Sequence, residues 1–213
     1  MSDLSRFQHP RFARTYERLS VESDRRGTAA HRARALAGLE GRVVEVGAGN
    51  GRNFAHYPAT VTEVIAVEPE DRLRAMAAHA ARHAPVPVRV VAGHAEDLPV
   101  DAASRDAAVA SLVLCSVPDL GRALAELRRV LRPGGELRFF EHVRSASPLV
   151  GVFQDLITPL WSVAGAGCHL NRDTAAAIRG AGFEIEEQDR FAYAPVPMVP
   201  RHAHILGRAR SPS

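Results

Sequence analysis

The chain has 213 residues, 46% of them hydrophobic, with a formal charge of +3 and a sequence pI near 9.4. That apolar content is enough to bury a core without disulfides or a structural metal, and no apolar run approaches the roughly 18 residues of a membrane span. All 27 basic residues are arginine, which excludes P-loop, kinase, pyridoxal and Tyr-x-x-x-Lys dehydrogenase chemistry, since each needs a lysine.

The arginines are scattered among 24 acidic residues with no basic stripe, so nucleic acid is not an expected partner. Met1 to Arg6 lack the hydrophobic stretch of a signal peptide, and a cytoplasmic protein without stable membrane insertion is the expectation. Residues 1–40 read as helical, with Phe12, Tyr16 and Leu19 on one face and a second helix from Ala29 to Leu39 that Gly41 stops. Nothing in these patterns speaks to oligomeric state.

Residues Val43 to Asn53 are the most informative stretch. Val43, Val44 and Val46 read as a strand covered on both faces. Gly47, Gly49 and Gly51 then form a turn that lets the backbone approach a ligand closely, and the helix expected to follow aims free N–H groups at that turn. The pattern is that of a nucleotide or nucleoside site. A dinucleotide fingerprint needs a glycine where Arg52 stands, and Glu45, at the strand end, repels a pyrophosphate but accepts from an ammonium. An amino-acid nucleoside is therefore favoured over a nicotinamide dinucleotide.

Val64 to Val67 form a second strand ending at Glu68-Pro69, and Glu68 stands seventeen residues after Gly51, where an acidic side chain reaches ribose hydroxyls. Val88 to Val91 make a third strand. A fourth, Asp106 to Ser111, runs into Leu112 to Asp119. Leu120, Ala123, Leu124, Leu127, Val130 and Leu131 share a helix face, broken by Pro133-Gly134-Gly135, and Glu136 to Val143 form the fifth strand.

Further on, Leu149, Val152, Phe153, Leu156, Ile157, Leu160 and Trp161 recur at helical spacing, with Gln154, Asp155, Thr158 and Ser162 facing away and Pro159 kinking the last turn. This stripe reads as a core-packing helix or as an acceptor-pocket wall ahead of a helix capped by Asn171. Phe183 to Ile185 and His202 to Arg208 read as two more strands.

Cys115 and Cys168-His169 lack C-x-x-C or regular histidine spacing, so neither a metal nor a disulfide is expected. His142, at the carboxyl edge of the sheet, is the one candidate catalytic residue, an imidazole able to take an acceptor's proton near neutral pH. Glu141 points to the opposite face of the strand.

Glu45-x-Gly47-x-Gly49-x-Gly51, the acidic end of the second strand, the loop Gly93 to Pro99 and Leu131-Arg132-Pro133-Gly134-Gly135 occur in order over residues 40 to 145. In this the chain resembles the class I S-adenosylmethionine-dependent methyltransferases, within them the ubiquinone-biosynthesis-like branch. Leu112 to Val117, Phe140 to Val143, Gly167 to Arg172 and His204 to Gly207 are similar to the methyltransferase-like thiol methyltransferases.

The resemblance implies an α/β, Rossmann-like three-layer sandwich with a seven-stranded sheet ordered 3-2-1-4-5-7-6, the last-added strand antiparallel. It implies one domain over 1–213, made of a helical lid (1–40), a cofactor core (41–145) and a substrate side (146–213). S-adenosyl-L-methionine is the implied cofactor, held by Glu45, Gly47, Ala48, Gly49, Asn50 and Gly51. Glu68 and Pro69 would meet the ribose, His94, Ala95 and Glu96 the adenine, with Ser111 and Leu112 beside them and Tyr16 closing over the top. The acceptor is a small, apolar molecule, a thiol first, with quinol, hydroxyl or lipid amine as alternatives. A nicotinamide-dependent oxidoreductase and a non-catalytic binding module stand as the competing functions.

Overall fold

Strand formation starts from the β-branched runs. In the computed structural model, which describes residues 3–195 and 199–212, Val43, Val44 and Val46 are fully buried in β1 (Gly41–Val46). β1 pairs in parallel with β2 (Val61–Val67) on one side and β4 (Arg105–Ser111) on the other. β3 (Val88–Val91) extends the sheet beyond β2, and β5 (Leu131–His142) lies beside β4. β7 (His202–Arg210) then inserts antiparallel between β5 and β6 (Glu184–Tyr193), giving the order β3-β2-β1-β4-β5-β7-β6 that the resemblance implied.

Helices cover both faces. α1 (Pro10–Ser23) and α2 (Ala29–Leu36) are joined by a π turn in which Gly27 takes φ +122°. α2 stops three residues before the expected Leu39, and Leu36 and Leu39 pack with Val43, Phe54 and Tyr57 in one core layer. α3 (Asp71–Ala81) is capped by Glu70, whose carboxylate accepts the Leu73 N–H at 2.7 Å. α4 (Leu120–Val130), capped by Asp119, turns Leu124, Leu127 and Val130 into the opposite layer with Val44, Leu137 and Phe139. Leu131 already belongs to β5 rather than to this helix.

Three further expectations need correction. The helix after the glycine turn is a single 3-10 turn, Phe54–His56. Only residues 47–60 separate β1 from β2, and Pro58 ends any helix there. The cap before α6 (Thr174–Gly180) is Asp173, which accepts the Ala176 N–H at 3.0 Å, while Asn171 donates to Asp155 instead.

The third correction concerns α5 (Pro148–Ala164). Its apolar stripe faces outward: Leu149, Leu156 and Leu160 are 84%, 74% and 80% exposed, whereas Gln154 and Thr158 are 4% and 5% exposed. The Gln154 amide explains the orientation. It accepts from Ser145 N at 2.7 Å and donates to the carbonyl of Leu170 at 2.9 Å, so it closes the polar ends of the two segments flanking the helix. Only Ile157 and Trp161 of the stripe turn inward, onto Cys115, Cys168 and Leu170. Among the described residues, no helix is long and apolar enough to cross a membrane.

Candidate active site

The carboxyl ends of β1, β2 and β4 converge on a cavity of about 280 Å³, the place where open α/β sheets bind ligands. Gly47 takes φ +64°, and a Cβ there would lie 2.3 Å from Val113 Cγ2. Gly49, at φ +56°, faces the ring of Tyr16, the nearest atom to its hypothetical Cβ at 3.4 Å. Gly47 is bare to the cavity because a Cβ has no space there, and Gly49 because its left-handed backbone angle disfavours any L side chain.

Glu68 closes one end. Its Oε2 accepts the Gly49 N–H at 2.7 Å and its Oε1 accepts the Glu70 N–H at 3.0 Å. Burial lifts this carboxyl from 4.5 to about 7 against the pull of those two hydrogen bonds. Each carboxylate oxygen retains a free lone pair for a ligand hydroxyl. Pro69 lies beside it, its carbonyl accepting from Gln8 Nε2 at 2.8 Å, which draws the N-terminal segment across the opening.

At the other wall, the ring of His94 stacks on Phe7 with centroids 4.8 Å apart, and His94 Nδ1 is buried without a protein partner. Ala95 lies next to it. Leu112 follows Ser111 with φ +58°, a conformation rare for leucine. It is held by its N–H to the carbonyl of Phe140 at 2.7 Å and by Glu141, which accepts the next three N–H groups, of Val113, Leu114 and Cys115, at 3.0, 2.9 and 3.2 Å. Glu141 is fully buried, and burial pushes its carboxyl up to about 7. It positions the turn after β4, a role with no signal in the sequence beyond its place in Phe140-Glu141-His142.

Of the expected site residues, Gly47, Gly49, Glu68, Pro69, His94, Ala95, Ser111, Leu112 and Tyr16 line this cavity. The structure directs the others elsewhere. Glu45 lies beneath the glycine turn, accepting from Asn53 Nδ2 at 3.0 Å and from Tyr57 OH at 2.7 Å, because successive β1 side chains alternate faces. Arg32 continues that buried network to Asn53 Oδ1 at 2.9 Å. Asn50 donates to Ser20 Oγ at 2.9 Å, the Ala48 N–H ends on the Val67 carbonyl, and Gly51, at φ +79°, is packed against Phe54 and Ala80. Glu96 turns its carboxylate to Arg6 and to the Asp119 N–H at 2.7 Å. His142 faces Cys168 and Cys115 behind the wall, with Nδ1 3.4 and 3.8 Å from their sulfurs.

The sequence reading did not assign Arg6, Phe7 and Phe12 from the N-terminal segment, or Ser116 to Pro118 and Gly165 to Gly167. Phe12 shares a helix face with Tyr16, and Ser116, Val117 and Gly167 lie in strings that carry the resemblance, which are usable signals; Gly165 and Ala166 have none. The residues present fit an amino-acid nucleoside: a bare glycine backbone, a buried carboxylate with spare acceptor capacity, an unpartnered imidazole nitrogen, and an apolar wall of Phe12, Leu112, Val113 and Val117.

Comparison with known proteins agrees with that chemistry. Residues 44–139 match a family described as a methyltransferase domain. Thiol S-methyltransferase TMT1B of Homo sapiens is 35% identical over 184 residues, covering 82% of this chain and 73% of that protein. Demethylmenaquinone methyltransferase of Clavibacter sepedonicus is 34% identical over 148 residues, covering 68% and 59%. A solved SAM-dependent methyltransferase of Thermotoga maritima, described as a possible histamine N-methyltransferase, superposes with TM-score 0.70 at 28% identity, covering 94% of this chain and 97% of that one.

Proposed function

Because the chain belongs to the class I S-adenosylmethionine-dependent methyltransferases, whose cofactor it shares, we propose that its acceptor is a small, apolar thiol. The relationship to TMT1B supports this reading. So does the cavity, with a polar end at Glu68 and a wall of Phe12, Val113, Val117 and Pro118 opposite it.

S-adenosylmethionine supplies a methyl group already activated on a sulfonium sulfur. The chain's task is then to hold and align. Gly47 and Gly49 present bare backbone, Glu68 would accept from the cofactor's ribose hydroxyls, and His94 and Ala95 would flank its base. Tyr16 and Phe12 of α1 cover the opening. Fixing donor and acceptor in this way is worth roughly 7 to 11 kcal/mol of barrier, and an apolar wall strips water from an anionic sulfur. A thiol ionises near pH 8.5, so a useful fraction is thiolate at neutral pH without a dedicated base. That suits a cavity from whose lining His142 is absent.

The relationship to demethylmenaquinone methyltransferase supports a quinol ring carbon as the second acceptor class. Incubation with methyl-labelled S-adenosylmethionine and matched thiols, phenols and quinols separates the two. Labelled thioether as the main product supports the thiol reading, and label found only in a quinol overturns it.

A further inference from the structure

Behind the cavity wall, three donor atoms from distant parts of the chain converge. Cys115 Sγ, from the turn after β4, lies 3.6 Å from Cys168 Sγ, from the loop after α5. His142 Nδ1, at the end of β5, lies 3.8 Å from the first sulfur and 3.4 Å from the second. Both cysteines are free and buried.

These separations match the edges of a coordination tetrahedron. With zinc–sulfur bonds of about 2.3 Å and a zinc–nitrogen bond of about 2.0 Å, tetrahedral angles place sulfur from sulfur at about 3.8 Å and nitrogen from sulfur at about 3.5 Å. Each observed edge falls within about 0.3 Å of those values. From this geometry we infer that Cys115, His142 and Cys168 form a site for a thiophilic divalent cation of the Zn²⁺ class. Two thiolates and a neutral imidazole exactly offset a dication's charge, which suits a buried position. Three protein ligands leave the fourth place to water or to the Ser116 hydroxyl, which is 3.4 Å from Cys115 Sγ.

The surrounding chain is built to hold the donors together. Ala166 and Gly167 take φ +49° and +92°, turning Cys168 back toward the sheet. The His169 N–H donates to the Cys115 carbonyl at 2.8 Å, and Arg172 donates to the carbonyls of Leu114 and Val117 at 2.6 and 2.7 Å. Gly165 to Gly167 also line the cavity. A cation here therefore pins the acceptor-side wall to β5 and to the turn after β4. No local spacing announces the site, because its ligands come from three segments that only the fold brings together.

The test uses the full chain, reduced, stripped with a chelator and titrated with Co²⁺ alone. One equivalent should bind, with thiolate-to-cobalt charge-transfer absorption in the near ultraviolet and tetrahedral ligand-field bands in the visible, and Zn²⁺ should abolish both. Cys168→Ser should lose about half of the charge-transfer intensity and at least tenfold in affinity, and His142→Gln should retain the charge-transfer band at weaker affinity. Should either variant fail to fold, the wild-type spectrum decides. No saturable cobalt absorption in the reduced chain overturns the inference. Binding without a thiolate band also overturns it, since the cation would then sit on histidines alone.

Discussion

The Glu68 carboxylate accepts the Gly49 N–H at 2.7 Å, so the end of β2 is tied to the middle of the glycine turn that follows β1. One buried group thus both shapes the turn and faces the cavity. Glu68→Ala should weaken binding of S-adenosylhomocysteine by about 1–3 kcal/mol, through lost hydrogen bonds to a charged acceptor. Calorimetric titration of both proteins measures this, and an unchanged affinity removes Glu68 from the site.

Glu45 makes stability depend on pH. Burial raises its carboxyl from 4.5 to about 7, against the hydrogen bond from Tyr57, the charge of Arg32 and the hydrogen bond from Asn53. The folded state therefore holds a proton that the unfolded chain releases. The contribution is fully present below about pH 4.5 and is lost as pH rises through 7. Glu45→Gln preserves the shape and removes the titration, so the stability difference between about pH 5 and pH 8 should shrink by on the order of 3 kcal/mol. Urea unfolding at the two pH values checks this, and an unaltered slope would contradict it.

Gly47 carries two constraints at once, a left-handed backbone and a Cβ position 2.3 Å from Val113 Cγ2. Gly47→Ala should cost at least about 2 kcal/mol. Adding Val113→Ala removes the Cγ2 contact but leaves its Cβ 2.9 Å away, so it should recover only part of the loss, with roughly 1 kcal/mol of backbone strain in what remains. Thermal unfolding of the single and double variants measures the recovery, and full recovery would mean that neither the backbone angle nor the remaining contact costs anything.

On α5 the polar side chains matter more than the apolar ones. Gln154→Leu strands the Ser145 N–H and the Leu170 carbonyl and should destabilise by about 1–3 kcal/mol. Leu156→Gln on the exposed face should change stability by less than about 0.5 kcal/mol. The reverse order in chemical denaturation would show that the helix is turned the other way in solution.

That helix also marks where sequence reasoning stops. Periodicity identifies which residues share a face, as with Leu149, Val152 and Leu156, but not whether the face points inward. Here the side-chain amide of Gln154 decides, through carbonyl and N–H groups that no local pattern reveals. The sheet was far more legible. Val43 to Val46, Val64 to Val67 and Val88 to Val91 are β-branched runs long enough to be buried strands, and the motif order over residues 40–145 implied their arrangement. The glycine turn was legible in position, whereas the helix expected after it was not formed, because Gly47, Gly49 and Gly51 all take positive φ and Pro58 follows, leaving only residues 52–57 between them. Alternation along β1 and β5 sends Glu45 and His142 away from the cavity; the sequence shows the alternation but not which face of each strand meets the cavity, which the packing of the sheet decides. The meeting of Cys115, His142 and Cys168 depends on tertiary structure alone.

The most direct measurement is a calorimetric titration of the wild-type chain with S-adenosylmethionine and, separately, with NAD. The expected result is one equivalent of S-adenosylmethionine bound with saturable heat and no detectable heat from NAD. Saturable binding of NAD with none of S-adenosylmethionine would contradict the assignment of the cavity between Gly49, Glu68 and His94.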